Sequence, residues 1–153
     1  MNKTTTPKEL RIIGGEEWCV FEELGIPAIK ARVTETSLTE SSLLQANNAK
    51  VYNKGGEEWV AFEVNPLQEN RNVTISCEAK LIDRRTVKSS LGISEERLVV
   101  STTIKLGEDK YKVELTLANR DTMEFRMLLG REALNKRYMV NPAESFAIKK
   151  NKD

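Results

Sequence analysis

The side chains in this sequence that could do chemistry are carboxylates, guanidiniums, hydroxyls and two thiols, because its 153 residues include no histidine. That absence removes Ser-His-Asp and Cys-His nucleophile systems, which need an imidazole to move the proton. It also removes a zinc site built on a His-x-x-x-His pair. Carboxylates alone could hold magnesium or calcium, but the acidic residues show no EF-hand spacing. No metal or other cofactor is expected. Arg84, Arg85 and Arg97 are the residues suited to recognition, since a guanidinium fork grips a carboxylate through two parallel hydrogen bonds. Two readings of them stand together: a binding site for an acidic peptide or protein tail, or a solvated charged face. Asp83 could line a cleft or pair with its neighbours Arg84 and Arg85 at the surface, and Asp121 could line the same cleft or serve as a turn residue. Cys19 and Cys77 lie in apolar surroundings and do not make a disulfide framework, so buried free thiols are expected.

The elements that must position these groups are mainly strands. Val73 to Leu81 alternates apolar or small residues with polar ones, Tyr111 to Leu117 repeats the pattern, and Ile29 to Val33 gives a shorter version. Alternation of period two predicts strands with one wet face. Trp59 to Val64 and Leu98 to Ile104 are rich in β-branched and aromatic residues, which predicts strands covered on both faces. Turn residues punctuate them at Lys54-Gly55-Gly56, Asn65-Pro66 and Leu106-Gly107-Glu108-Asp109, the last joining 97–106 to 110–118 as a hairpin. A single short helix is predicted over 130–136, after an apolar strand from Met123 to Leu129.

The length suits one domain. Its extent is expected to be 10–146, with polar, flexible ends at 1–9 and 147–153. Lys and Arg number 24 against 23 Asp and Glu, so no polyanion is implied and nucleic acid is not an expected partner. No apolar run has the length of a signal-peptide core or a membrane span, which predicts a cytoplasmic protein with no membrane partner.

Several stretches, in order, resemble one family. They are Leu24-Gly25-Ile26-Pro27-Ala28-Ile29-Lys30-Ala31, Gly56-Glu57-Glu58-Trp59-Val60, Cys77-Glu78-Ala79 followed by Asp83-Arg84-Arg85, Glu95-Glu96-Arg97, Leu115 to Asp121, and Phe125 to Leu134. Each fragment is weak alone, but the collinear set covers about 12 to 146. The family is the retropepsin-like aspartic peptidases often labelled ATP-dependent zinc proteases and associated with glutamate ligases. The resemblance implies an all-β fold, a small closed acid-protease barrel with a flap and one short C-terminal helix. It also implies a homodimer in which each subunit supplies one catalytic aspartate. Met127-Leu128-Leu129-Gly130-Arg131 is similar to the segment that packs under the active site of retroviral proteases. Members often accompany ATP-grasp ligases that add glutamate to proteins, so the implied activity is trimming of glutamate-rich tails, with such a ligase as a further partner. The zinc label finds no histidine here to support it.

Aspartic-peptidase chemistry needs two carboxylates close enough to share a proton, one acting as base on a water and one as acid toward the carbonyl. In the family an Asp-Thr-Gly motif follows the strand that resembles Ile29 to Val33. This sequence reads Val33-Thr34-Glu35-Thr36-Ser37-Leu38-Thr39-Glu40 there. The nearest replacement sets Glu35 as the catalytic acid and Thr36 as the threonine that braces the dimer. Glu is longer by a methylene, and Ser37 stands where glycine's freedom would let the loop turn under the site. A displacement of about an ångström can cost on the order of a hundredfold, so this replacement implies a weakened peptidase or one that has lost activity. The other reading is a polar loop with Glu35 and Glu40 solvated. In that case the chain is a pseudoenzyme that binds a peptide or protein as an added strand under its flap.

Overall fold

The computed structural model describes residues 11–33, 42–66, 73–88, 92, 94–119, 126–134, 138–141 and 143–147. Eleven strands occur among them: β1 (Arg11–Gly14), β2 (Glu16–Phe21), β3 (Ile26–Val33), β4 (Ser42–Gln45), β5 (Asn47–Lys54), β6 (Glu57–Val64), β7 (Ile75–Lys88), β8 (Ser94–Leu106), β9 (Asp109–Ala118), β10 (Met127–Leu129) and β11 (Tyr138–Asn141). One short helix, α1, spans Arg131–Leu134, and a 3-10 turn spans Glu22–Leu24.

The hairpins form where glycine supplies positive φ. Gly55 and Gly56 sit at φ 59° and 84° between β5 and β6, and Gly107 at 64° between β8 and β9. A two-residue loop of this kind matches the twist of the strands it joins, which fixes their register. Lys54 faces Glu57 across the first loop and Leu106 faces Asp109 across the second.

Nine strands form one sheet in the order β2-β3-β10-β4-β9-β8-β7-β6-β5, and a further pairing of Val20 with Lys105 joins β2 to β8. That pairing closes six strands into a barrel, from which β7, β6 and β5 extend as a wing. Each barrel strand contributes a fully buried side chain to the core: Phe21, Ile29, Leu129, Leu44, Leu115 and Ile104. At roughly 1.5–3 kcal/mol per buried large apolar side chain, this interior is the main source of stability. β1 and β11 pair in parallel beside the barrel. The all-β barrel with one short helix matches the sequence reading.

Three details differ from it. β6 is not covered on both faces: from Trp59 to Val64 half-buried and buried positions alternate, because β6 belongs to the wing and lays only one face on the core. β8 alternates in the same way beyond Val100. β7 and β8 are longer than the predicted runs, reaching Lys88 and starting at Ser94. The predicted strand from Met123 and helix to Lys136 are described only as Met127–Leu129 and Arg131–Leu134.

Candidate functional site

β10 lies between β3, to which it runs parallel, and β4, to which it runs antiparallel. The chain leaves β3 at Val33 and returns at Ser42, so these two ends straddle β10. Leu129 is the Cα partner of Val33, and the Gly130 N–H donates to the buried Ser42 hydroxyl at 3.1 Å. The Val33 N–H in turn donates to the Gly15 carbonyl at 2.9 Å. Glu35 and Thr36, the proposed catalytic pair, belong to 34–41 and lie outside the described residues, as does Asp121.

β7 and β8 outrun their neighbours. β6 pairs with β7 only as far as Lys80, and β9 pairs with β8 only from Val99 onward. Residues 83–88 and 94–98 therefore form a two-stranded ribbon beyond the barrel. The register slips between Leu81 and Asp83, which leaves Ile82 as a bulge, 43% exposed, at the ribbon's base. Such an extra residue bends the strand and re-aims the side chains beyond it.

The three arginines singled out in the sequence all lie on this ribbon, but not on one face. Arg85 is the Cα partner of Arg97, so these two share a face, whereas Arg84 is the partner of Leu98 on the other. Each is held by carboxylates of the chain. Arg84 meets Glu58 at 3.1 Å and Glu96 at 3.8 Å, Arg85 meets Asp83 at 2.9 Å and Glu114 at 3.2 Å, and Arg97 meets Glu95 at 3.1 Å. Arg97 is the most enclosed of them, with its side chain 11% exposed. Asp83 takes the ion-pair reading. A hydrogen bond from Arg85, and a second from the Arg84 N–H, hold its carboxyl below the usual range.

The face shared by Arg85 and Arg97 continues across the barrel strands. Val99 partners Thr116, Thr116 partners Leu43, and Leu43 partners Leu128. Their sequence neighbours Val100, Leu115, Leu44 and Met127 point into the core cluster, so this row lies on the opposite face. Val99, Thr116 and Leu43 are nonetheless buried. One row further on, Gln45 is the Cα partner of Ala118, and the Gln45 N–H donates to the Arg126 carbonyl at 2.9 Å. Gln45 and Arg126 are buried as well. Neither residue is marked by the apolar–polar periodicity of the sequence.

Elsewhere, a depression of about 410 Å³ is lined by Trp59, Glu78, Lys80, Lys112 and Glu23 among others, and its balanced charges select neither sign of ligand. Cys19 and Cys77 are free and buried, as expected, and burial raises the pKa of both thiols. Among the described residues, no three Cys, Asp or Glu side chains gather as a metal site. No helix among them is long and apolar enough to cross a membrane.

The model of the retropepsin-like aspartic endopeptidase RimB family matches residues 12–151. This chain belongs to that RimB-like family. A protein of Shewanella pealeana named probable alpha-L-glutamate ligase is 50% identical over 137 residues, which are 90% of this chain and 30% of that protein. A protein of Desulfotalea psychrophila with the same name is 50% identical over 138 residues, 90% of this chain and 29% of that one. The chain thus spans about a third of the length of these curated relatives. A crystal structure of a Legionella pneumophila protein of unknown function has the same fold, with a TM-score of 0.75 and 25% identity over 92% of this chain and 99% of that one. The family match agrees with the resemblance drawn from the sequence fragments.

Proposed function

We propose that this RimB-like domain receives glutamate-rich protein tails beneath the β7–β8 ribbon, as a homodimer whose hydrolytic activity is weak or lost. One observation carries the choice of ligand. Proteins named for joining glutamate carry, over about a third of their length, a region half identical to this chain. A domain with that association has a glutamylated protein as its natural neighbour, and an ATP-grasp glutamate ligase as its natural partner. The arginines of the ribbon suit such a ligand, because an extended acidic chain offers carboxylates that can exchange with those of Asp83, Glu95 and Glu114.

In the catalytic reading Glu35, one from each subunit, takes the part of the aspartate pair, with Thr36 bracing the junction. One carboxylate removes a proton from water while its protonated mate donates to the scissile carbonyl. The test is incubation of the chain with a peptide ending in several glutamates, followed by mass spectrometry. Shortened product that disappears in Glu35→Gln supports this reading, and product that persists in that variant overturns the assignment of Glu35.

A second reading is favoured by one sequence fact: Asp-Thr-Gly occurs nowhere in the 153 residues. The domain then binds the same tails without cutting them. Binding of the intact peptide with no product after prolonged incubation supports that version, and turnover removes it.

A further inference from the structure

Arg126 is the charged group in this structure whose placement is least explained by the fold. It directly precedes β10, is only 4% exposed, and its Nε is enclosed with no hydrogen-bond partner among the described residues. None of the ion pairs among those residues includes it. A guanidinium does not shed its proton in a protein, so it cannot relieve burial by becoming neutral. Burying such a charge without an anion is costly, and burial is tolerated where an anion completes the site. Arg84, Arg85 and Arg97 show the contrast, since carboxylates of the chain match each of them.

The polar groups gathered at this end of β4 do not supply the missing charge. The Gln45 amide donates to Asn119 Oδ1 at 3.2 Å and to Asn47 Oδ1 at 3.5 Å, and Asn47 donates to Asn65 Oδ1 at 3.0 Å. All are neutral. Arg126 lies two residues before Leu128, whose row runs through Leu43 and Thr116 to Val99, two residues after Arg97 on β8. Of the guanidiniums of Arg85, Arg97 and Arg126, that of Arg126 alone lacks a carboxylate of the chain among the described residues.

We propose that Arg126 is the receptor for a carboxylate of the bound peptide, a glutamate or aspartate side chain or the terminal carboxylate, and sets the preference for acidic tails. The inference rests on the acidic-tail reading above and adds the residue that reads the charge. The guanidinium with the unpartnered Nε is the specificity element, and the paired arginines of the ribbon add affinity without deciding it.

The experiment is calorimetric titration of the full chain, and of its Arg126→Met and Arg126→Lys variants, with a peptide ending in four glutamates and with its all-glutamine counterpart. Thermal unfolding of each protein is measured without peptide. The wild-type chain is expected to prefer the glutamate peptide. Arg126→Met is expected to lose about tenfold or more in affinity for it. The same variant should bind the glutamine peptide unchanged and unfold at the same temperature or higher. Arg126→Lys, which keeps the charge but not the fork, should fall between. If Arg126→Met lowers the unfolding temperature and leaves the preference intact, the guanidinium serves a carboxylate of the chain itself and the proposal fails. If Arg126→Met does not fold, the preference of Arg126→Lys decides, and no change overturns the proposal. A wild-type chain that does not distinguish the two peptides overturns the acidic-tail reading together with this one.

Discussion

Arg85 and Arg97 stand directly opposite each other across the β7–β8 ladder, and each is drawn aside by a carboxylate two residues back on its own strand, Asp83 and Glu95. Like charges at directly opposed positions are destabilising, and the two carboxylates convert that repulsion into a row of alternating sign. The ribbon projects past the barrel, so this row helps set its rigidity.

Asp83→Asn and Glu95→Gln are therefore each expected to destabilise the chain only slightly, as the loss of an exposed ion pair does. Together they should cost more than their sum, since the two guanidiniums then face each other with Glu114 as the one remaining carboxylate named beside them. Urea unfolding at low salt checks this, and the excess should vanish at about 1 M salt, where the screening length falls to about 3 Å. The Asp83 contribution also has a pH sign. Its carboxyl pKa is depressed in the fold, so its stabilisation is present above the unfolded value and disappears as pH falls through the folded one. Asp83→Asn should flatten that part of the acid limb.

The Ser42 hydroxyl fixes the crossing beside the candidate catalytic segment by accepting the Gly130 N–H in a buried setting. Ser42→Ala leaves that donor unsatisfied, and the expected loss is about 1–3 kcal/mol of stability. Any peptidase turnover should fall along with it, because β3 and β4 hold the two ends of 34–41 and β10 joins them. A variant of unchanged stability would show that the Gly130 N–H finds another acceptor.

The parts of the fold legible in the sequence are those where a strand has one wet face and one buried one. β9 and the first half of β7 carry plain alternation, and glycine marks the turns at 55–56 and 107. β2 was hidden because its pattern is inverted: Glu17 is fully buried while its neighbour Trp18 is 40% exposed. The Glu17 carboxylate accepts the Gly14 N–H at 2.7 Å, a role no periodicity shows. β4 reads as a loop because serine and glutamine bound its two leucines, yet all four residues are buried. β5 is mostly polar, with Val51 as its one core-packing residue, because it is the outermost strand of the wing. Of the candidate site, the ribbon arginines were legible as charge beside charge. Arg126 was not, because an arginine before an apolar run looks solvated until the sheet order buries it.

Gly14 is where β1 and the segment near the C-terminus touch. A Cβ there would lie 2.4 Å from the Glu144 carbonyl oxygen, and the next residue's N–H, from Gly15, donates to that oxygen at 2.8 Å. The Phe146 N–H donates to the Glu16 carbonyl at 2.8 Å and its ring stacks on Trp18, so the contact closes over the barrel end. Gly14→Ala should push this segment away and cost roughly 1–3 kcal/mol, as inserted methyl groups do in packed sites. Faster amide exchange at Phe146 than in the parent chain is the accompanying signal, and unchanged exchange would refute the contact.

Burial makes both thiols weaker acids in the fold than in the unfolded chain. Burial pushes the Cys77 pKa up to about 12 and, with the nearby Glu17 charge as the lesser cause, raises that of Cys19 as well. A group whose folded pKa lies above its unfolded value of 9.0 adds stability that is complete below pH 9 and is lost as pH climbs toward 12. Each thiol then contributes a slope of up to roughly 1.4 kcal/mol per pH unit, because the unfolded chain releases a proton the native chain retains. Cys77→Ala should lower stability near pH 7 through lost packing but flatten the alkaline decline, which urea midpoints from pH 8 to pH 11 would show. In the native chain neither thiol should react with a disulfide reagent at pH 8, since the thiolate is the nucleophile and is suppressed at both sites. Both should react once urea unfolds the chain. Rapid labelling of a folded chain at Cys77 would mean that the strand pair β6–β7 opens far more readily than its burial implies.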